Sequence, residues 1–320
     1  MSAGSKRPRQ WIAFGVVVVF LCVSGAYIAS TFQWRAAFGV LIDADPAWFF
    51  LGSGGAIIAY WGVRALRWRY LMGTMATRVP FVDLYLCSSV ALSLSVLTPL
   101  QSGEALKVEL LRRYGSGHRL PGYSALALER VADIYVVAAI GVVALTSPSG
   151  STLYALLLAG LFVVLPVSAY LALHAVRLPG RMGKFVAHLQ SGVRTPPMLL
   201  LLLVLTFASW VIVALGWEAC LRSISIRLGF LDMLGLLSLV TLASIVSLIP
   251  GGLGIAEASV AEFLIRCGFT APLSQAGALA LRGFSLLVIF LGSIHLLALR
   301  ARRNHALRSA REKVQDDPLS

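Results

Sequence analysis

The sequence predicts an all-α polytopic membrane protein in which six full transmembrane helices and two re-entrant helical hairpins form an inverted repeat. The composition indicates an integral membrane protein, because 58% of the 320 residues are hydrophobic and only 13% are charged. The mean hydropathy is +0.83. A soluble domain cannot bury so much apolar surface. We therefore expect one membrane domain over residues 1–320.

Long apolar runs give the transmembrane helices. Trp11–Ser30, Leu153–Leu173 and Met198–Trp217 are the clearest. Each has about 20 residues, which at about 1.5 Å per residue crosses a hydrocarbon core of about 30 Å. A second helix is predicted at about residues 47–63, a fourth near Tyr123, and the last one before the basic C-terminal tail.

The positions of the basic residues predict the hairpins. The net charge of +13 fits cytoplasmic loops that face anionic lipid, and we expect no nucleic-acid partner. If residues 81–97 crossed the membrane, eight Lys and Arg residues between 107 and 194 would lie outside. A hairpin that turns at Thr98–Ala105 keeps them inside, and a second one at Ile249–Ala258 keeps the C-terminal arginines inside.

This topology places 21 Lys and Arg residues inside and four outside. Such a bias is typical of multi-pass proteins of the cytoplasmic (inner) membrane. We predict that both termini are cytoplasmic and that residues 301–320 form a cytoplasmic tail.

The two broken stretches resemble each other. "TPLQSGEA" reads P-x-x-x-G-E-A, and "IPGGLGIAEA" reads P-x-x-x-G-x-x-E-A. The helices that follow contain "ALALERVAD" and "ALALRGFS". The repeat halves are therefore about 1–150 and 151–300, and three crossings in each half invert the second. Inverted repeats with Gly- and Pro-broken segments at matching positions are typical of alternating-access transporters.

The broken backbone also predicts where an anion could bind. Glycine allows close approach of backbone and ligand, and proline ends a helix without orphaning an N–H group. After "PGGLG" a new helix is predicted to begin near Ile255. Its free N–H groups favour an anion, which is either a substrate or Glu257 itself.

Charged side chains lie inside the predicted membrane helices. Glu129 and Asp133 are one turn apart, with Arg130 close to Asp133, and each unpaired charge at the bilayer centre costs about 2.5–3.5 kcal/mol. A functional site and a structural ion-pair cluster both explain them. Arg282 occupies the matching place in the second half.

We predict that each hairpin brings a carboxylate to the arginine of the following helix. These pairs are Glu104 with Arg130 and Glu257 with Arg282. Glu104 is also in reach of Lys107, three residues later. The stretch Arg64–Leu71, "RALRWRYL", is interpreted as an anchor in the cytoplasmic headgroup zone. The five histidines are expected at loops or helix ends, without metal spacing.

These motifs resemble the membrane region of lysylphosphatidylglycerol synthase, whose free-standing members are called flippase-like integral membrane proteins. "TP…GEALK", "ERVAD" and "IPGGLGIAEA" carry the resemblance, which covers about residues 10–300. It implies lipid translocation, performed in bifunctional enzymes on aminoacylated phosphatidylglycerol made by a separate soluble domain. We expect no aminoacyl transfer by this chain, which lacks that domain. The residues implicated by position are Gly103, Glu104, Lys107, Glu129, Arg130, Asp133, Pro250, Gly251, Gly252, Gly254 and Glu257.

The expected function is translocation of an anionic or polyisoprenoid-linked lipid through a polar pocket between the hairpins, with Arg282 added to the site residues. The partner is a membrane lipid that bears phosphate, and lipid-synthesis enzymes of the same membrane are candidate partners. No nucleotide-binding loop occurs. We expect no catalytic residue, no metal and no cofactor, and thus no enzyme activity.

Two other functions fit the sequence less well. A membrane enzyme of lipid or lipid-linked glycan synthesis depends on "DADP", Asp43–Pro46, whose acids could hold a metal. Two aspartates in a short loop are more often solvated turn residues. A non-transporting scaffold for lipid synthesis is the other alternative, and hairpin residues that tolerate substitution would favour it.

Overall fold

The computed structural model describes residues 25–26, 30, 32–73, 79–112, 119–146, 152–247 and 249–315, and all regular structure in them is helical. The α-helices in chain order are α1 (Trp34–Ile42), α2 (Gly54–Met72), α3 (Phe81–Ser95), α4 (Leu106–Arg112), α5 (Arg119–Thr146), α6 (Thr152–Ala175), α7 (Gly180–Gly192), α8 (Pro196–Arg222), α9 (Phe230–Ser247), α10 (Ile255–Arg266) and α11 (Ala271–Gln315). A π-helix, Ala47–Ser53, leads into α2. Two 3-10 turns, Pro99–Ala105 and Pro250–Gly252, precede α4 and α10.

Three described helices are long and apolar enough to cross a membrane. They are Ala47–Met72, Pro196–Arg222 and Ala271–His305. The predicted first crossing, residues 11–30, falls almost entirely outside the described residues. The predicted second helix ends too early at residue 63, because α2 runs without a break to Met72. The count of six crossings stays a prediction.

Both Pro- and Gly-containing stretches fold as helix–break–helix hairpins. In hairpin 1 (Phe81–Arg112) the chain reverses after α3, so that Leu110 packs against Leu86 and Cys87. A Cβ on Gly103 would lie 2.8 Å from the Ser95 backbone nitrogen. Only glycine therefore lets the returning segment approach the end of α3 this closely. Neither segment runs straight through as one helix.

Hairpin 2 (Phe230–Arg266) repeats this design. α10 packs back along α9, and a Cβ on Gly235 would lie 3.7 Å from the Phe263 ring. The break contains three glycines with positive φ, which are Gly251, Gly252 and Gly254. As predicted, the new helix α10 begins at Ile255.

The tips of the two hairpins meet. A Cβ on Gly251 would lie 3.0 Å from the Val96 carbonyl oxygen, which ends the first arm of hairpin 1. Each hairpin is followed by a long helix, α5 in the first half and α11 in the second. Side chains from α2, α8, α9, α10 and α11 form the largest hydrophobic core beside the tips. This arrangement places the broken backbone of both halves inside the protein.

Candidate functional site

Seven charged side chains from α2, hairpin 1 and α5 meet in one cluster, which we call the first polar cluster. It consists of Arg64, Arg67, Glu104, Lys107, Glu129, Arg130 and Asp133. Four are cations and three are carboxylates, so the cluster carries one positive charge in excess. All except Arg130 are buried.

Arg64 connects hairpin 1 to α5. Its Nη1 donates to Asp133 Oδ2 at 2.6 Å, and its Nη2 donates to Glu104 Oε2 at 2.8 Å. The same guanidinium lies 5.8 Å from the centre of the Tyr60 ring. Charge-assisted bonds of this length are the strong ones in proteins. They fix α2 to both following elements.

Arg67 lies one turn further along α2 and is fully buried. Its Nε donates to Glu129 Oε1 at 3.0 Å, and its Nη1 donates to Asp133 Oδ1 at 2.8 Å. Nη1 also donates to the Thr206 hydroxyl of α8 at 2.7 Å. A buried guanidinium needs several acceptors, and α5 and α8 supply the three that Arg67 binds.

Lys107 and Arg130 complete the cluster from the hairpin side. Lys107 bonds Glu129, approaches Glu104 at 3.4 Å, and lies 4.1 Å from the centre of the Trp68 ring. Arg130 bonds Glu104 and lies 3.3 Å from Asp133. Its Nη1 also donates to Gln101 Oε1 at 2.7 Å. The predicted pairing of Glu104 with Arg130 is thus confirmed.

The interpretation of Arg64–Leu71 as a headgroup anchor is wrong for Arg64, Arg67 and Trp68. All three side chains are buried, because the acids of hairpin 1 and α5 fold against this face of α2. Lys107, which the topology argument treated as a loop charge, is also inside the cluster. One partial signal was present in the sequence: a spacing of three residues places Arg64 and Arg67 on the same face of α2, away from Arg69. It does not show which partners meet that face.

The second polar cluster is a single ion pair at the tip of hairpin 2. Arg282 Nε donates to Glu257 Oε1 at 2.6 Å, as predicted, and Arg282 Nη1 donates to the Gly251 carbonyl at 3.0 Å. Glu257 Oε2 accepts the Gly254 N–H at 2.8 Å. The carboxylate therefore occupies the start of α10 itself, as one of the two sequence-based alternatives proposed.

Residues of both clusters line a cavity of about 240 Å³. Arg64, Glu104, Arg130 and Asp133 belong to the first polar cluster. The second polar cluster and the tip glycines 251 and 252 line the same cavity. Aromatic and aliphatic side chains of α2, α8, α9 and α11 form the rest of the wall. The cavity joins the halves of the chain at the place where the hairpin tips meet.

The cavity wall contains seven of the twelve predicted site residues. They are Glu104, Arg130, Asp133, Gly251, Gly252, Glu257 and Arg282. The other five lie behind the wall: Lys107 and Glu129 are in the first polar cluster, Gly103 packs on α3, Pro250 begins the 3-10 turn, and Gly254 is the N-cap of α10. Arg64 lines the cavity and was missed as a site residue.

Two other predictions concern metal and histidine. Asp45 Oδ1 accepts the N–H groups of Ala47 and Trp48 at 2.8 and 3.4 Å, so this acid caps the π-helix. The described residues contain no group of three or more His, Cys, Asp or Glu suited to a metal. His295 is not at a helix end as expected, because it lies within α11. Its Nδ1 is 2.9 Å from the Ser89 hydroxyl of hairpin 1.

Fold and site together define a membrane-embedded, all-helical protein in which two hairpins enclose a charged cavity. The chain matches the family described as "Lysylphosphatidylglycerol synthase TM region" over residues 10–293, and it belongs to that family. The resemblance inferred from the motifs is confirmed. No curated protein and no solved structure gives a significant match to the chain. The family indicates a function connected with membrane lipid.

Proposed function

We propose that this protein translocates a phosphate-bearing lipid, anionic or polyisoprenoid-linked, between the two leaflets of the membrane. One observation carries the proposal. One cavity is lined by Arg64 and Arg130 of the first half and by Arg282 of the second half. A headgroup needs a polar path through hydrocarbon, and these side chains supply polar groups from both halves to the same space.

Guanidinium groups suit this task because they bind phosphate with two parallel hydrogen bonds. The side chains of Arg130 and Arg282 are 28% and 23% exposed. Both can therefore exchange a protein acceptor for a ligand, which the fully buried Arg67 cannot do. The apolar side chains that also line the cavity suit the glycerol or isoprenyl part next to the phosphate.

The proposed topology has six crossings, with hairpin 1 entering from the cytoplasmic face and hairpin 2 from the outer face. The matching order of elements in the two halves supports an inverted repeat. Arg64, Arg67 and Lys107 were counted as inside but belong to the first polar cluster, so the positive-inside bias rests on 18 residues inside against four outside. We place the chain in the cytoplasmic membrane, with both termini in the cytoplasm.

Transport would proceed by alternating access, without a chemical step. Each hairpin tip is held by an ion pair to the following helix. A phosphate that takes the place of a carboxylate or carbonyl on Arg130 or Arg282 would loosen that tip. A lipid that binds the loosened conformation more tightly would then shift the population toward it, and one hairpin would move relative to the other. Lipid-synthesis enzymes of the same membrane would supply or consume the lipid.

The test is transfer of fluorescent phosphatidylglycerol between leaflets of vesicles that contain the purified protein. We expect transfer to be faster than in protein-free vesicles and to be strongly reduced by Glu257→Gln or Arg130→Gln. The exposed Arg266, which pairs with Glu262 away from the cavity, gives the control variant Arg266→Gln. Unchanged transfer in both cavity variants would contradict the residue roles. Wild-type transfer no faster than in empty vesicles, for phosphatidylglycerol and for a fluorescent polyisoprenyl phosphate alike, would contradict the function.

A further inference from the structure

We infer that the cavity selects headgroups with net negative charge, that the phosphate binds at Arg130 beside Gln101, and that headgroups with more amino cations than phosphates are excluded. This inference rests on the proposed function and names its substrate class. It departs from the aminoacylated lipid in the name of the family, because lysylphosphatidylglycerol carries two amino cations on one phosphate.

The first argument is the charge of the cluster. Its four cations face three carboxylates, and the described residues provide no further acid in contact with them. The second polar cluster is neutral. Excess charge inside a membrane protein is costly unless a counter-ion compensates it. One monoanionic phosphate diester in the cavity would make the whole site neutral.

The second argument is that every carboxylate on the cavity wall is already paired with cations or N–H groups of the protein. Glu104 is bound by Arg64, Lys107 and Arg130. Asp133 likewise has three arginine partners. In the second polar cluster, Glu257 is bound by Arg282 and by a backbone N–H group. An incoming ammonium group would therefore find no free carboxylate on the cavity wall, and it would meet a positive field at the first polar cluster.

The third argument is a set of unpaired donors. Arg64 Nε, Arg130 Nε and Trp210 Nε1 are buried, have no hydrogen-bond partner among the described residues, and belong to side chains that line the cavity. All three are N–H groups that cannot accept a hydrogen bond. The polar balance of these side chains favours an acceptor, and the oxygens of a phosphate diester are acceptors only.

Aromatic rings are the rival receptor for an ammonium group, because cations bind ring faces. One ring of the cavity wall already has such a neighbour, because the Tyr60 ring faces the Arg64 guanidinium. The other rings remain as the alternative, which are those of Trp61, Trp210, Trp217 and Phe284. Preference for an aminoacylated lipid would identify them as the receptor and overturn the inference.

The decisive experiment compares three fluorescent lipids in phosphatidylcholine vesicles that contain the wild-type protein. They are phosphatidylglycerol, zwitterionic phosphatidylethanolamine and lysylphosphatidylglycerol. We expect phosphatidylglycerol to move at least about tenfold faster than the lysyl lipid, since a mispaired charge in hydrocarbon costs more than one tenfold step. Equal rates, or a faster lysyl lipid, would refute the charge selection but leave the proposed function intact. If no lipid moves, the fluorescent polyisoprenyl phosphate included, the proposed function itself is wrong.

A matched pair of variants separates charge from hydrogen bonding. Gln101→Glu keeps an acceptor oxygen for Arg130 and cancels the excess charge. Gln101→Met removes that acceptor and leaves the charge unchanged. We expect the Glu variant to lose most of the preference for phosphatidylglycerol and the Met variant to keep it. The same preference in both variants would contradict the charge argument. If the Glu variant does not fold, the wild-type lipid comparison decides.

Discussion

The two hairpins share one backbone design but differ in their charged side chains. Hairpin 1 is connected to α2 and α5 through seven charged groups, six of them buried. Hairpin 2 is connected to α11 through one pair, Glu257 and Arg282, of which Arg282 is partly exposed. The backbone break therefore does not dictate the polar contacts. The helices that pack against each hairpin determine how many charged side chains contact it.

This difference suggests different roles for the two halves. Breaking a buried ion pair costs about 3–5 kcal/mol because the remaining partner stays buried and uncompensated. The first polar cluster contains several such pairs in one network, so it fixes α2, hairpin 1 and α5 as a frame. The second polar cluster bonds only to the glycine-containing break of hairpin 2, at Gly251 and Gly254. We expect hairpin 2 to be the more easily displaced part.

The largest effect is expected from Asp133→Asn. Asp133 accepts hydrogen bonds from Arg64 and Arg67 and lies 3.3 Å from Arg130, and its loss raises the excess charge of the cluster from one to two. We expect a loss of stability of about 3–5 kcal/mol, measured by thermal unfolding in detergent. The control Arg266→Gln removes an exposed pair and should change stability by less than about 1 kcal/mol. Similar small effects in both variants would mean that the cluster does not stabilise the frame.

Gly103→Ala tests the close backbone approach in hairpin 1. The added methyl group would lie 2.8 Å from the backbone of Leu94 and Ser95, so one arm of the hairpin must shift. Overpacking of this kind costs about 1–3 kcal/mol. Gly55→Ala is the control, because its Cβ meets no atom within 4 Å and alanine favours the helix. Equal unfolding temperatures for the two variants would exclude tight packing at Gly103.

Hydrogen exchange of the two tips compares the hairpins directly. Residues 249–254 are expected to exchange at least about tenfold faster than residues 98–104, because fewer buried contacts oppose local opening. The measurement is mass spectrometry of the protein in lipid nanodiscs. Neutralising Arg282 with Arg282→Gln should accelerate exchange at 249–254 and leave 98–104 unchanged. Slower exchange in hairpin 2 than in hairpin 1 would mean that hairpin 2 belongs to the rigid frame and that hairpin 1 is the more mobile hairpin.

The smallest effect is expected at the contact of hairpin 1 with α11. His295→Phe removes the bond to Ser89 and retains an aromatic ring beside Trp61 and Tyr85. The Ser89 hydroxyl keeps its bond to the Leu86 carbonyl. A net loss of about 0.5–1.5 kcal/mol is therefore expected, measured by thermal unfolding. A loss as large as that of Asp133→Asn would show that hairpin 1 depends on α11 as much as on its charged cluster.

Much of the site could be predicted from local sequence. Proline and glycine mark both breaks, and the acid that follows each one lies within a few residues of it. Comparison of the two repeat halves also identifies the partner of each acid, which is the arginine of the next helix. This is why Glu104 with Arg130, and Glu257 with Arg282, could be paired in advance. The start of α10 at Ile255 was predictable for the same local reason.

The roles of Arg64 and Arg67 could not be predicted with the same reasoning. Basic residues at the end of a membrane helix are equally compatible with a headgroup anchor and with a buried cluster. The choice depends on whether acids from distant segments fold against that face, and Asp133 is 66 residues from Arg67. His295 was misplaced because α11 continues well beyond the apolar run.

The sequence by itself determined the class of protein, the two breaks and the acid at each, because composition and backbone chemistry are local properties. Only the tertiary structure decided that the two tips touch, that both ion pairs line one cavity, and that one cluster contains four cations against three acids. These features depend on contacts between residues far apart in the chain, and the free energy of burying each charge depends on which partners those contacts supply.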